Sequence, residues 1–144
     1  MNELEKTAES VSKFNRFYLP YFELLTQKYL NSDYSVAEAR ILYEIYDRKD
    51  ISARDIVSNL HIDKGYLSRI LKRFETKDLI TRNSSKDDLR LAMLSLTEKG
   101  TELAESLIDE SNSQIKKGLV NLSASEMLEL TGHMSEIIRL LGGE

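Results

Sequence analysis

Apolar side chains recur three and four residues apart along most of this chain, which is the spacing of a single helix face. Val11, Phe14, Phe17, Tyr18, Tyr21, Phe22, Leu25 and Tyr29 mark a first amphipathic helix from Leu4 to about Leu30, and Pro20 predicts a kink near Leu19. Ser35 followed by Glu38 has the form of a capping box: the hydroxyl accepts a backbone N–H and the carboxylate reaches back. A second helix follows with Ala39, Leu42, Ile45 and Tyr46 inward. Ser52 and Asp55 open a short third helix carrying Ile56, Val57 and Leu60, which ends near His61 and Ile62. Asp63 caps a fourth helix, in which Leu67, Ile70, Leu71 and Phe74 form one apolar stripe.

The period then changes. Residues 79–82 and 91–96 read as two short strands joined by the polar stretch 83–88, a hairpin or wing. Thr97 caps a fifth helix with Leu103, Leu107, Ile108 and Ile115, and Gly118 lies near its end. Ser123 and Glu126 start a sixth helix, with Met127, Leu130, Met134, Ile137, Ile138 and Leu141, that stops at Gly142 and Gly143. The predicted architecture is mainly α (α+β), in the order four helices, hairpin, two helices. It divides into residues 1–34, a helix-turn-helix with its wing at 35–96, and the helices of 97–144, within one structural domain.

Composition narrows the function. With 144 residues, 41% hydrophobic and 31% charged, the chain is long enough to bury its own core. No apolar run approaches membrane-spanning length, and the opening residues are acidic and polar, so a cytoplasmic location is expected. The absence of cysteine excludes disulfides, thiolate metal sites and thiol chemistry. His61 and His133 have no metal-ligand spacing, and no catalytic triad or phosphate loop stands out, so neither a metal, a cofactor nor an enzyme is expected. The net charge of −4 is unevenly spread. Between His61 and Arg90 there are eight Lys or Arg against five Asp or Glu, a local balance of +3 that leaves −7 on the remainder.

Two short helices, a tight turn and an immediate hairpin form the arrangement that lays the second helix in a major groove of double-stranded DNA with the hairpin loop beside it. At 100° per residue, the apolar stripe of the fourth helix turns Gly65, Arg69, Lys72 and Thr76 outward, flanked by Ser68 and Arg73. Arg69 offers a donor fork to guanine, Ser68 a hydroxyl, Lys72 and Arg73 charge to phosphates, and Gly65 a close backbone approach. Lys64 and Tyr66 complete the candidate set on this helix. In the wing, Asp88 and Arg90 share a face of an extended strand and form an ion pair that aims Arg90 at a minor groove, while Ser84, Ser85 and Lys86 meet phosphates. Taken alone, the basic face is also the face of an ordinary solvated helix.

At these residues the chain resembles the MarR family of winged-helix regulators, through GYLSRILKRFETKDLITR at 65–82 and DLRLAMLSLTEKG at 88–100, with the wing-to-helix pattern Asp88, Arg90, Leu96, Thr97 and Gly100. The resemblance implies that residues 11–30 and 103–141 interlace two subunits in a homodimer. It implies a regulator, usually a repressor, on a pseudo-palindromic site. It also implies a small aromatic or phenolic effector, for which Phe14, Phe17, Tyr18, Tyr21, Phe22, Tyr43 and Tyr46 are candidates; such stripes equally serve as core or dimer interface. FNRFY at 14–18, YSVAEARILYE at 34–44 and DKGYLSRIL at 63–71 look like the regulator half of MarR proteins fused to a GNAT acetyltransferase. The chain departs from the commoner family pattern at Leu89, where a second wing arginine is frequent, and at Asp78, where glycine usually ends the recognition helix; Asp78 is expected in the left-handed conformation. Two other readings accompany this one: a winged-helix module that binds protein without DNA, and a regulatory subunit of an acetyltransferase.

Overall fold

A computed structural model describes residues 1–22, 32–84, 87 and 91–143. Its elements are α1 (Glu3–Tyr21), α2 (Val36–Arg48), β1 (Ile51–Ser52), α3 (Ala53–Leu60), α4 (Lys64–Thr76), β2 (Ile80–Ser84), β3 (Ala92–Leu96), α5 (Glu98–Leu119) and α6 (Ala124–Leu140). The mainly helical winged architecture is as expected, with one addition. The hairpin is joined by β1 into a three-stranded antiparallel sheet of order β1-β3-β2, through Ile51 opposite Leu94 and Ser52 opposite Met93.

The chain forms two compact units, one of residues 23–111 and one of residues 1–22 with 112–144. In the first, Ile41, Leu42, Ile45, Ile51, Ile56, Leu79, Leu94, Ala104 and Leu107 close around the stripe of α4. Leu67, Ile70, Leu71 and Phe74 are at most 1% exposed. Burying each contributes about 1.5–3 kcal/mol, so the stripe is a large part of what holds this unit together.

Local capping explains where the helices start. Ser52 and Asp55 exchange both hydrogen bonds of the capping box, each at 3.1 Å, and Ser123 and Glu126 do the same at 3.1 and 2.8 Å. Asp63 accepts from the Tyr66 amide at 2.8 Å, and Thr97 Oγ1 from the Gly100 amide at 3.0 Å. The box expected at Ser35 is only half formed. Ser35 Oγ accepts from the Glu38 amide at 3.1 Å, but the Glu38 carboxylate turns instead to Arg73. A further full box, Asn2 with Glu5, opens α1. Pro20 lies in the last turn of α1, which runs as helix through Leu19 to Tyr21. The expected continuation to Leu30, with Leu25 and Tyr29, lies outside the described residues.

Asp78 is left-handed at φ 58°, as anticipated, and the Leu79 amide there donates to Phe74 O at 2.8 Å, closing the end of α4. Thr97 Oγ1 donates to Asp78 O at 2.6 Å and the Thr97 amide to Leu79 O at 3.0 Å, so the start of α5 is tied to the exit of α4. That closeness explains Gly100. A Cβ there would lie 2.0 Å from Leu79 O, a backbone atom that cannot move aside.

Gly100→Val is therefore expected to destabilise the chain by about 1–3 kcal/mol or more. Gly132→Ala in α6, where nothing lies within 4 Å of the added carbon, should instead gain up to about 1 kcal/mol from helix propensity. Urea unfolding of both variants checks the pair.

Candidate nucleic-acid interface

Three residues separate α3 from α4. His61 makes the reversal in the left-handed conformation (φ 52°, ψ 45°), and Asp63 then caps α4. With one face of α4 committed to the core, Lys64, Gly65, Tyr66, Ser68, Arg69, Lys72, Arg73 and Thr76 are all exposed, so the eight candidates on this helix and its flanks share the outer side. Gly65 has a steric role here. A Cβ at that position would lie 3.2 Å from Oδ2 of the capping Asp63, tighter than an ordinary contact, so glycine leaves the cap its room.

The cations of this surface fall into two groups. Arg73 Nη2 lies 3.6 Å from Glu38 Oε2, Arg82 Nε donates to Glu75 Oε1, and Lys77 Nζ sits 4.9 Å from the centre of the Tyr34 ring. Lys64, Arg69 and Lys72 make no ion pair among the described residues. A groove of about 590 Å³ runs along Tyr66, Arg69, Lys72, Arg73, Thr76 and Lys77. A second, of about 370 Å³, brings Arg54, Lys64, Ser68 and Arg82 together over Val57, Leu67 and Leu71.

Arg54 and Arg82 join the candidate surface in the structure and were not among the residues expected there. Arg54 is the second residue of α3, and no periodicity along its own helix marks it; the packing of α3 against α4 does. Arg82 lies opposite Leu94 on β2 and by strand alternation shares a face with the buried Ile80, so its place on this surface comes from Glu75 of α4, which accepts from its Nε, and no local pattern marks it. In the wing, Ser84 is exposed at the end of β2, paired with Ala92. Ser85, Lys86, Asp88, Leu89 and Arg90 lie outside the described residues, and with them the expected Asp88–Arg90 pair.

The candidate effector residues fall in both units. In the unit of α1, Phe14 stacks on Tyr18 with ring centres 5.1 Å apart, Phe17 on Tyr21 at 5.4 Å, and Phe22 meets Tyr18 edge-on at 5.2 Å. Tyr21 Oη donates to Gly118 O at 2.6 Å. In the other unit, Arg40 lies over the Tyr43 ring at 5.3 Å, and Tyr46 Oη donates to Glu105 Oε1 at 3.4 Å. Tyr46 lines a cavity of about 570 Å³ with Asp47, Lys49, Asp50, Ser95 and Glu105. The Glu105 charge holds the Tyr46 hydroxyl above the ordinary phenol range, with a smaller contribution from Asp109. Among the described residues no group of three or more His, Cys, Asp or Glu is placed to hold a metal ion, and no helix is long and apolar enough to cross a membrane.

A short helix, a tight turn, a second helix with a basic outer face and an antiparallel hairpin directly after it define a winged helix-turn-helix protein. Residues 35–91 match the MarR family. The chain is 32% identical over 92 residues to an uncharacterised HTH-type transcriptional regulator, YdgJ, of Bacillus subtilis (strain 168), covering 64% of this chain and 56% of that protein. It is 30% identical over 97 residues to the organic hydroperoxide resistance transcriptional regulator of the same strain, covering 67% and 65%. The matched stretch thus spans less than two thirds of either relative. The fold is similar to that of Streptococcus pneumoniae FabT, solved in complex with DNA, with a TM-score of 0.68 at 20% identity, covering 97% of each chain. The winged-helix segment of this chain is thus similar in sequence to members of the MarR family.

The Tyr46 site gives a direct check. A neighbouring carboxylate disfavours the phenolate, so Tyr46 should be among the last tyrosines to ionise as pH rises. Glu105→Gln should bring its titration down towards about 10, the ordinary tyrosine value. Phenolate absorbance or tyrosine ring NMR shifts against pH measure this.

Proposed function

We propose that this chain is a MarR-type transcriptional regulator that binds pseudo-palindromic double-stranded DNA as a homodimer in the cytoplasm and represses by occluding its promoter. The observation that carries the reading is the outer face of α4: Ser68, Arg69 and Lys72 stand exposed directly opposite a stripe that the core cannot release. Arg69 reads a guanine edge, Ser68 reaches a base or a phosphate, and Lys64 and Lys72 neutralise phosphates. Ser84, Ser85, Lys86 and Arg90 extend the contact through the wing, with Asp88 aiming Arg90. The relatives named as transcriptional regulators and the DNA-bound structural neighbour support the assignment.

The homodimer is supported by α1 and α6, neither of which buries a residue within one chain. Leu128 of α6 and Leu141 at its C-cap are 76% and 81% exposed, and Phe17, Ile138 and Leu140 are also exposed. Apolar surface of this extent is what a subunit interface covers. Two copies would set their recognition helices about 34–36 Å apart, in successive major grooves. The proposed effector is a small aromatic or phenolic molecule, for which the rings of α1 in one unit and Tyr43 and Tyr46 in the other are separate candidate contacts; it relieves repression by favouring a dimer with wrongly spaced recognition helices.

Selection from random duplexes followed by titration against salt tests the central claim. Binding should fall as salt rises, with a slope of about −0.9 per phosphate contacted. Arg69→Ala should weaken the selected site by about 5- to 150-fold and relax its preference at one base. Absence of salt-dependent duplex binding would overturn the reading in favour of a protein-interaction module. Sedimentation should give twice the chain mass, and Ile138→Glu with Leu141→Glu should shift it towards a single chain.

A further inference from the structure

The third residue of α2 is the kind that closes a capping box, and the Ser35 hydroxyl performs its half of that exchange. The Glu38 carboxylate does not return to the Ser35 amide. It crosses to α4, where Oε2 lies 3.6 Å from Arg73 Nη2. The two partners are unequally held: the Glu38 side chain is 14% exposed and that of Arg73 57%. The carboxylate is the more enclosed member, and the guanidinium the more exposed one. A second carboxylate engages an arginine of the same surface, Glu75 accepting from Arg82 Nε of β2, although here the two side chains are about equally exposed, 42% and 35%. Lys77 is drawn over Tyr34, four residues before Glu38. Three cations of the basic surface are thereby turned towards the protein, while Lys64, Arg69 and Lys72 are left to solvent.

A carboxylate and a phosphate compete for the same guanidinium donors. Affinity for DNA of arbitrary sequence comes almost wholly from cations replacing the counterions of phosphates, whereas preference for one site comes from base edges. Withholding an arginine therefore lowers arbitrary binding while leaving the base-reading groups, Arg69 and Ser68, in place. We propose that Glu38 and Glu75 are internal counter-ions that withhold Arg73 and Arg82 from phosphates and so set the ratio of site-specific to non-specific DNA binding. The inference rests on the DNA-binding reading above and concerns how that surface discriminates. Glu38 and Glu75 are positioning residues, acting through the arginines they hold.

The test uses the full chain and a random-sequence duplex. Glu38→Gln and Glu75→Gln should each tighten binding about two- to fivefold, the range of an exposed ion pair, and each should steepen the salt slope by about 0.9. Loss of a negative charge alone would also raise affinity, and a double-mutant cycle separates the two causes. In an Arg73→Gln background Glu38→Gln should have no further effect, and likewise Glu75→Gln in an Arg82→Gln background. Melting curves confirm that the variants fold. A salt slope unchanged by both glutamine variants, or a gain that persists without the arginine, overturns the inference while the DNA reading stands. No duplex binding by the unaltered chain overturns both.

Discussion

Four side chains on one face of α4, Leu67, Ile70, Leu71 and Phe74, are sealed from water, and their spacing leaves that helix no rotational freedom about its own axis. The orientation of the outer face follows from this. A rotation of one residue would expose part of the stripe and bury Arg69 or Lys72, at the energetic cost of both a lost apolar contact and an unpaired buried charge. The presentation of the basic groups is therefore a consequence of core packing in the unit of residues 23–111, and requires no interaction among the basic groups themselves.

What was legible in the sequence is what depends on neighbours along the chain. Capping at Ser52, Asp63, Thr97 and Ser123, the stripe of α4 and the left-handed turn at Asp78 each involve residues within a few positions of one another, and each is present. What escaped depends on distant partners. β1 is two residues long, below the reach of any periodicity, and exists because β3 offers Leu94 and Met93 to pair with. Glu38 looked like half of a capping box because nothing local reveals that Arg73, thirty-five positions away, would claim its carboxylate. The same limit applies to Arg54, whose place beside Lys64 and Ser68 is created by helix packing.

The two units differ in how they treat apolar surface. The unit of residues 23–111 encloses its stripe, whereas α1 and α6 leave theirs open. Along α1 the rings pair at four-residue spacing, which is what a single helix face imposes on aromatic neighbours and does not by itself distinguish a packing surface from a ligand-lined one. The proposed dimer and the proposed effector draw on these residues jointly, so a molecule lodged among them would act on subunit association directly.

The sheet has a further consequence. Its last ladder pair, Ser84 opposite Ala92, stands one step beyond Met93, where β1 on one side and β2 on the other both hold β3, so the hairpin is braced almost to the end of its ladder. Seven residues separate Ser84 from Ala92 in sequence. Chain inserted or exchanged there adds little closure entropy, which makes the wing tip an interchangeable module through which evolution or design could retarget the protein without reworking its foundations.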